Sequence, residues 1–380
     1  MISALYCGSF DPFTLGHLSI VERALQYSSA PYRHIEKIYI CVGTNEEKEP
    51  LFSQKHRVEM IKQVFKHHPN KNNIDVIDYQ GLTVDLAFRL GVNYLIRGIR
   101  KNDSSSFCEE KRLSLINQKL SLARGFKLQT LFIEVNDENL NLISSSLVKK
   151  LCSQKQYITA AEMVPPIVLQ ELLKIHLKPR FYKLFYENCH SIAETYWQDL
   201  VCSYTKRSYH NLNHLGYMFN MLDIYTSHTG YKSDDIELAI FAHDLVYDTK
   251  KDDNELQSAN KVLSWYGLKY NKPNEVLINL ILSTSPNQTP TTKDEALLKD
   301  LDLSILGTFV PFLFQNYKTG IQQEYHSYSK EEYLKGRLDF LNNMLSKNRI
   351  YSTKFFYNNF ENQAKENIRQ EIFNLKYQKS

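Results

Sequence analysis

Residues 7–17 read Cys-Gly-Ser-Phe-Asp-Pro-Phe-Thr-Leu-Gly-His, directly after the apolar run Ile2–Tyr6 and directly before a helical pattern, Leu18–Gln26. A strand that empties into a glycine-containing loop and then a helix N-terminus is suited to holding phosphate. Backbone N–H groups point outward there, and the helix dipole favours negative charge. His17, at the mouth of that helix, can donate a hydrogen bond to a phosphoryl oxygen as charge builds on it. Gly16 and His17 alone could simply cap a helix; the ten-residue string around them argues for more.

The alternation that starts there continues. Apolar strand patterns fall at Ile2–Tyr6, Lys37–Val42, Ile74–Tyr79, Tyr94–Ile96 and Leu128–Ile133. Helical patterns lie between them at Leu18–Gln26, Ser53–Phe65, Thr83–Leu90 and Glu109–Leu122. Strand–helix alternation at this spacing predicts an α/β, Rossmann-like parallel sheet with helices on both faces. Pro165 and Pro166 open a further helix, Ile167–Ile175, where a missing N–H costs nothing. After Lys178-Pro179-Arg180 strand patterns almost vanish. Long amphipathic helical patterns take over: Phe181–Tyr204, Leu215–Tyr225, Asp235–Ala242, Asn254–Tyr266, Tyr333–Ser346 and Gln363–Leu375. The expected domains are therefore an α/β domain over 1–177 and an all-α domain over 178–380.

Composition sets the outer limits. A chain of 380 residues is long for one domain, and 43% hydrophobic content supports ordinary buried cores. A net charge of +4, without a basic run, does not predict a nucleic-acid surface. Neither end shows a basic-then-apolar signal, and no apolar run approaches membrane-spanning length. The six cysteines (Cys7, Cys41, Cys108, Cys152, Cys189, Cys202) are scattered, which reads as reduced thiols and a cytoplasmic setting. A homo-oligomer that binds neither membrane nor nucleic acid is expected.

The string Gly-Ser-Phe-Asp-Pro-x-Thr-x-Gly-His resembles the signature of the nucleotidyltransferases, in particular the phosphopantetheine adenylyltransferases. Ligands of an open parallel sheet sit at the carboxyl ends of its strands. Ser9 and His17 follow the first strand pattern, Lys48 the second, Gly81-Leu82-Thr83 the third, Arg97-Gly-Ile-Arg100 the fourth, and Leu142–Ser146 the fifth. The resemblance covers about residues 1–176. It implies that His17 stabilises the pentacovalent α-phosphate of ATP, with Lys48 and Arg97 completing the catalytic set. It implies acceptor contacts from Ser9, Lys48, Thr83 and Arg97. It implies ATP contacts from Ser9, Phe10, His17, Gly98, Ile99, Arg100 and Glu110. Leu140, Asn141, Leu142, Ile143, Ser144, Ser145 and Ser146 complete the ATP set. The segment after Arg100, Lys-Asn-Asp-Ser-Ser-Ser-Phe-Cys-Glu-Glu, runs about two residues longer than in the family, so the register of Glu110 shifts with it. Such chemistry rests on positioning and cationic groups rather than on a general base.

The second half carries imidazoles and carboxylates at suggestive places. Arg207-Ser-Tyr-His210-Asn-Leu-Asn-His214 precedes a helical pattern, Ala242-His243-Asp244 ends one, and Asp300-Leu-Asp302 lies downstream. Such groups suit a divalent ion with open positions for water and phosphate. The ordered set resembles the HD superfamily of metal-dependent phosphohydrolases, closest to a group with Arg-x-Tyr-His-x-Leu-x-His, His-Asp-x-x-Tyr-Asp, Asn-Glu-x-x-Ser-Ala and Asp-x-Asp-Leu-x-Ile-Leu-Gly. Here these are Arg207–His214, His243–Asp248, Asn254–Ala259 and Asp300–Gly307, and coverage runs from about 180 to 375. The resemblance implies metal ligation by His210 or His214, by His243 and Asp244, and by Asp302 rather than Asp300. A histidine that this group carries after Ile-x-x-Thr is missing at Ile281–Thr284.

The expectation is a bifunctional enzyme. Its first domain would move AMP from Mg2+-bound ATP to 4′-phosphopantetheine, giving dephospho-coenzyme A and pyrophosphate. Its second would hydrolyse a phosphorylated metabolite with a divalent ion. The alternatives are another acceptor (nicotinamide or nicotinate mononucleotide, or a small alcohol phosphate) and a helical domain that is a non-catalytic regulatory or interaction module.

Overall fold

The computed structural model describes residues 2–26, 35–44, 49–100, 104–135, 137–185, 190–270, 274–286 and 288–377. The chain divides into two compact units: Met1–Gln154 with Thr159–Glu171, and Lys155–Ile158 with Leu172–Ser380.

The first unit alternates β1 (Ser3–Gly8), α1 (Leu15–Gln26), β2 (Lys37–Val42), α2 (Gln54–Phe65), β3 (Ile74–Asp78), α3 (Thr83–Leu90), β4 (Tyr94–Arg100), α4 (Ser104–Ala123) and β5 (Gln129–Val135). The short helices α5 (Glu138–Asn141), α6 (Ser145–Ser153) and α7 (Tyr157–Ala161) follow. The five strands are parallel in the order β3-β2-β1-β4-β5. β1 sits at the centre, with Cys7 in register with Cys41 of β2 and Leu5 with Leu95 of β4. Ala4, Leu5, Tyr6 and Cys7 are buried in succession, as a central parallel strand covered on both faces requires. The strand order reverses between β1 and β4, so a crevice opens beyond their carboxyl ends. The expected α/β sheet is present.

Close packing at that crevice depends on two glycines. A Cβ on Gly8 would lie 2.9 Å from the Phe10 ring, and one on Gly98 would lie 2.2 Å from Cδ1 of Ile20. Gly98 therefore lets α1 close on β4. The segment Arg97–Arg100, expected beyond the end of the fourth strand, is the last part of β4 itself. It pairs with Phe132–Val135 of β5, and the ladder hydrogen bonds extend the strand past its apolar run. α1 likewise begins at Leu15, which places His17 in its first turn.

Buried charges fix the loops. Asp11 accepts backbone N–H bonds from Leu51 (2.9 Å) and Phe52 (3.1 Å) and the Lys149 ammonium (2.9 Å). Arg57, 1% exposed, donates to the carbonyls of Ser9, Gly43 (2.9 Å) and Phe52 (3.1 Å). The loops after β1 and β2 and the entry to α2 are thus tied together through their backbones.

A long helix, α8, covers Pro166–Leu184. Pro179 lies inside this helix. Arg180 donates to both carboxylate oxygens of Glu237 (2.7 and 2.8 Å) and to Asp223 (3.0 Å). The helical run expected over Phe181–Tyr204 is two helices, α8 and α9 (His190–Tyr204).

The second unit continues with α10 (Leu212–Thr229), α11 (Asp234–Ala242), α12 (Asn254–Tyr270), α13 (Glu275–Ser283), α14 (Lys293–Leu303), a 3-10 turn (Ser304–Gly307), α15 (Pro311–Glu324), α16 (Lys330–Ser346) and α17 (Lys354–Tyr377). Among the described residues it contains no strand, matching the expected all-α domain. Its core is aromatic: Phe181 packs on Phe185 (4.6 Å), Phe241 (5.2 Å) and Trp197 (5.4 Å), and Phe219 on Phe241 (4.5 Å). No helix among the described residues is long and apolar enough to cross a membrane.

Replacing Asp11 with Ala would leave two buried N–H groups and one ammonium without their acceptor. It should destabilise the first unit by about 1–3 kcal/mol per lost buried partner. Urea denaturation of the full chain would read this as an earlier transition of the parallel-sheet unit, and an unmoved transition would contradict it.

Candidate nucleotide site and candidate metal centre

In the first unit the β1–α1 loop and the start of α6 meet. Ser145 donates from Oγ to the carbonyl of Pro12 (2.8 Å), and Ser144 caps α6 by accepting the Leu147 N–H (3.1 Å). Ser146, at the same helix start, is exposed. Within the loop, His17 Nδ1 lies 3.0 Å from the Thr14 backbone nitrogen and 3.0 Å from Thr14 Oγ1. Because Nδ1 accepts the Thr14 N–H, the neutral imidazole carries its proton on Nε2. The ring is held between Phe10 (5.1 Å, edge-on) and Phe13 (5.5 Å). The chain thus presents a histidine whose orientation and tautomer are set before any ligand arrives.

The other expected residues fall as follows. Ser9 is exposed and gives its carbonyl to Arg57; Phe10 is buried and has φ 49°. Thr83 opens α3, with Oγ1 3.3 Å from the Tyr79 hydroxyl. Arg97 and Glu110, given separate roles by the resemblance, form an ion pair at 3.5 Å. Gly98 and Ile99 lie within β4, where Gly98 is a packing position for α1. Leu140 and Asn141 end α5, and Asn141 donates to the Val135 carbonyl (2.9 Å). Leu142 is 74% exposed, whereas Ile143 is 7% exposed and belongs to the core. Lys48 and the side chain of Arg100 lie outside the described residues. The reading missed Asp11, Arg57 and Lys149 as organisers. Asp11 stood in the quoted string, but only tertiary contacts give the other two their place.

In the second unit three side chains converge, from α10, the C-cap of α11 and α14. His214 Nε2 lies 3.3 Å from His243 Nε2 and 3.2 Å from Asp302 Oδ1, and His243 Nε2 lies 3.8 Å from the same oxygen. All three ligand atoms fall within 4.8 Å of one another. Asp244 Oδ2 is 3.2 Å from His243 Nε2. Neighbouring ligands about 2.1 Å from one ion sit ~3 Å apart, so this spacing fits a cation. The outward nitrogens are also engaged: His243 Nδ1 bonds the Ile240 carbonyl (2.9 Å) and His214 Nδ1 the Tyr209 hydroxyl (3.1 Å). Those bonds turn both Nε2 atoms towards Asp302, the arrangement that orients metal-binding histidines. Two nitrogens and carboxylate oxygens suit a borderline divalent ion.

The structure distinguishes the paired candidates by geometry. His210 is not in the cluster; its Nδ1 bonds Glu324 Oε2 at 2.6 Å, and Glu324 Oε1 accepts the Tyr209 and His210 N–H groups (2.7 and 2.9 Å). Asp300, fully buried, accepts the Ser352 and Thr353 N–H groups (2.8 and 2.7 Å) and so anchors the segment before α17. Arg207 donates to the carbonyls of Asp244, Leu245 (3.2 Å) and His210 (3.4 Å), joining the two histidine segments. A cavity of about 540 Å3 opens over the cluster, lined by His210, His243, Asp244 and Asp302 among others.

Burial disfavours charge on every group there, and the pairs decide the balance. For His214 burial wins over Asp302, and its imidazolium is held below the usual range. For His243 burial is outweighed by Asp244 and then Asp302, and its pKa is raised to about 9. Burial would push Asp244 and Asp302 up, yet the histidines beside them hold both carboxylates low. His243 therefore carries a proton at neutral pH that a cation must displace. Apparent affinity for Mn2+ should rise with pH up to about 9, by about tenfold per unit for one displaced proton. Calorimetry in buffers of different ionisation enthalpy should detect proton release at pH 7; binding without release would contradict the assignment, as would unchanged binding in Asp302→Asn.

Residues 5–151 match the family described as Cytidylyltransferase-like. Among solved structures, Plasmodium falciparum nicotinic acid mononucleotide adenylyltransferase complexed with NaAD is 18% identical, with 46% of this chain and 96% of that chain covered and a TM-score of 0.36. The same enzyme complexed with APC gives 18%, 46%, 96% and 0.35. Thermotoga maritima TmcAL bound with alpha-thio ATP is 12% identical, with 83% of this chain and 95% of that chain covered and a TM-score of 0.31. The match over residues 5–151 identifies the N-terminal region as a cytidylyltransferase-like domain of the nucleotidyltransferase superfamily.

Proposed function

We propose that the chain is a bifunctional enzyme. Its first unit transfers AMP from ATP to 4′-phosphopantetheine, and its second is a metal-dependent phosphohydrolase of the HD type. The observation that carries the first reading is His17, fixed in ring orientation and tautomer within the Gly8–His17 string. An oxygen of the acceptor phosphate attacks the α-phosphorus, the bond to the β-phosphate breaks, and pyrophosphate leaves. His17 Nε2–H is the donor for the charge that gathers on the α-phosphoryl oxygens. Mg2+ arrives with ATP and offsets its charge. Lys48 and Arg97 are read as the acceptor's phosphate clamps. Arg97 would exchange Glu110 for that phosphate, since a guanidinium matches phosphate in a bidentate fashion. The choice of phosphopantetheine over a pyridine mononucleotide rests on Gly81–Thr83, Arg97–Arg100 and Leu142–Lys149.

The observation that carries the second reading is the convergence of His214, His243 and Asp302, with Asp244 beside them. A divalent ion bound there would polarise a phosphoryl group and acidify a water. His210, held at Nδ1 by Glu324 and set beside the ligand cluster, is placed to give a proton to the departing oxygen.

His17→Ala should lower adenylyl-transfer turnover by about 10²–10³ with ATP affinity little changed. Normal turnover in a folded variant would end the assignment. Pantetheine lacking its phosphate should be a very poor acceptor, because the cations would lose their partner. Equal rates with and without the phosphate, or preference for nicotinate mononucleotide, would favour a different acceptor. Asp244→Ala should remove metal and phosphatase activity while adenylyl transfer stays close to the parent rate. Metal content that survives this change would show that His214, His243 and Asp302 hold the ion without Asp244.

A further inference from the structure

We infer that the phosphate ester cleaved in the helical unit carries a flat, uncharged, largely apolar organic group, seated against the aromatic wall of the cavity over His214, His243 and Asp302. This rests on the phosphohydrolase reading and narrows it to a substrate class.

Volume is the first argument. A cavity of about 540 Å3 lies within the range of sites for organic ligands, about 300–1,000 Å3. A bare phosphate or a three-carbon phosphate would leave most of it filled with water. The lining is the second. One side of the cavity is walled by Tyr247, Tyr325, Tyr328, Phe340 and Met344, while its other charged lining residues, Asp248, Asp252, Glu255 and Glu332 against Lys251, are mostly acidic and disfavour a further anion. Tyr247 lies over His210 with ring centroids 4.1 Å apart, and Tyr325 sits 5.5 Å from Tyr328. Such rings offer a planar group both burial and ring contact.

The third argument is the state of the buried cations. Two line this cavity, Arg337 and Lys299. The Arg337 guanidinium makes a two-point pair with Glu371 (2.7 and 3.1 Å) and also donates to the Tyr317 hydroxyl (2.9 Å). The Lys299 ammonium donates to the Ser285 and Gln288 carbonyls (2.8 and 2.5 Å). Both cations are committed to protein acceptors, so the interior of this wall does not offer a buried clamp for a second phosphate. Burial also holds the Tyr247 and Tyr317 hydroxyls in their neutral form. The wall then selects a neutral organic part, while the His–Asp end takes the single phosphoryl group.

The test pairs esters with the same kind of leaving group. The full chain, loaded with Mn2+, is assayed on 3-phenylpropyl phosphate, propyl phosphate and glycerol 3-phosphate. The expected result is at least a tenfold higher kcat/KM for the phenyl ester, expressed mainly in KM. Phe340→Ala should shrink that preference towards unity, and an unchanged preference would overturn the aromatic wall as its source. Calorimetry with 3-phenylpropylphosphonate and propylphosphonate supplies a readout independent of turnover, with the same tenfold preference expected. Hydrolysis of all three esters at equal efficiency would overturn the substrate class and leave the phosphohydrolase reading standing. If no ester is cleaved, the phosphohydrolase reading fails. Selective phosphonate binding would then still support the pocket's selectivity, and indiscriminate or absent binding would end both.

Discussion

Backbone groups in buried loops must find hydrogen-bond partners, and in this chain buried charged side chains supply them. Asp11 accepts the N–H groups of Leu51 and Phe52, and Arg57 takes the carbonyls of Ser9, Gly43 and Phe52. In the helical unit Glu324 holds the N–H groups of Tyr209 and His210, Asp300 those of Ser352 and Thr353, and Glu361 those of Ile350 and Tyr351. Arg207 does the same for the carbonyls around Asp244. A buried peptide group without a partner costs about 1–3 kcal/mol, so these clamps decide which loop conformations survive. Both candidate sites are carried on loops and helix ends held in this way.

The two sites use preorganisation differently. His17 needs a defined donor atom, and a backbone N–H on Nδ1 gives it one without introducing a charge. The packing of Phe10 and Phe13 then removes ring rotation. In the helical unit the problem is electrostatic. Two imidazoles and two carboxylates are gathered where burial opposes every charge. The arrangement persists because the protonated His243 lies 3.2 Å from Asp244, His214 Nε2 lies 3.2 Å from an Asp302 oxygen, and the outward Nδ1 atoms are tied to Ile240 and Tyr209. A cation that displaces the His243 proton would take as ligands the Nε2 atoms of His214 and His243, which lie 3.3 Å apart.

The same economy explains the cavity wall. Arg337 and Glu371 are both nearly fully buried, and their pairing binds α16 to α17. A buried arginine missing its carboxylate would be costly, so this pair is a structural tie that also removes a cation from the cavity. Tyrosine and phenylalanine rings then form one side of the cavity, beside carboxylates and Lys251.

The sequence by itself determined the class and order of elements in both halves. Unbroken apolar strands alternating with amphipathic helices allow few arrangements other than a covered parallel sheet, and the later helical periodicity leaves no strands to pair. It also marked His17, His243 and Asp302 as chemically informative, because their neighbours at fixed spacing were legible. Local pattern could not place Arg97–Arg100, which extends β4 through ladder bonds to a partner 35 residues away in register. Nor could it see that Pro179 is absorbed within α8 while Arg180 reaches Asp223 and Glu237. Only tertiary structure separated His214 from His210, and it gave the choice of Asp302 over Asp300 a geometric reason. Each pair is a few residues apart on one segment, identical in chemistry, and distinguished by which partner the fold brings to it: Glu324 for His210, the Ser352–Thr353 backbone for Asp300, and one another for His214 and Asp302.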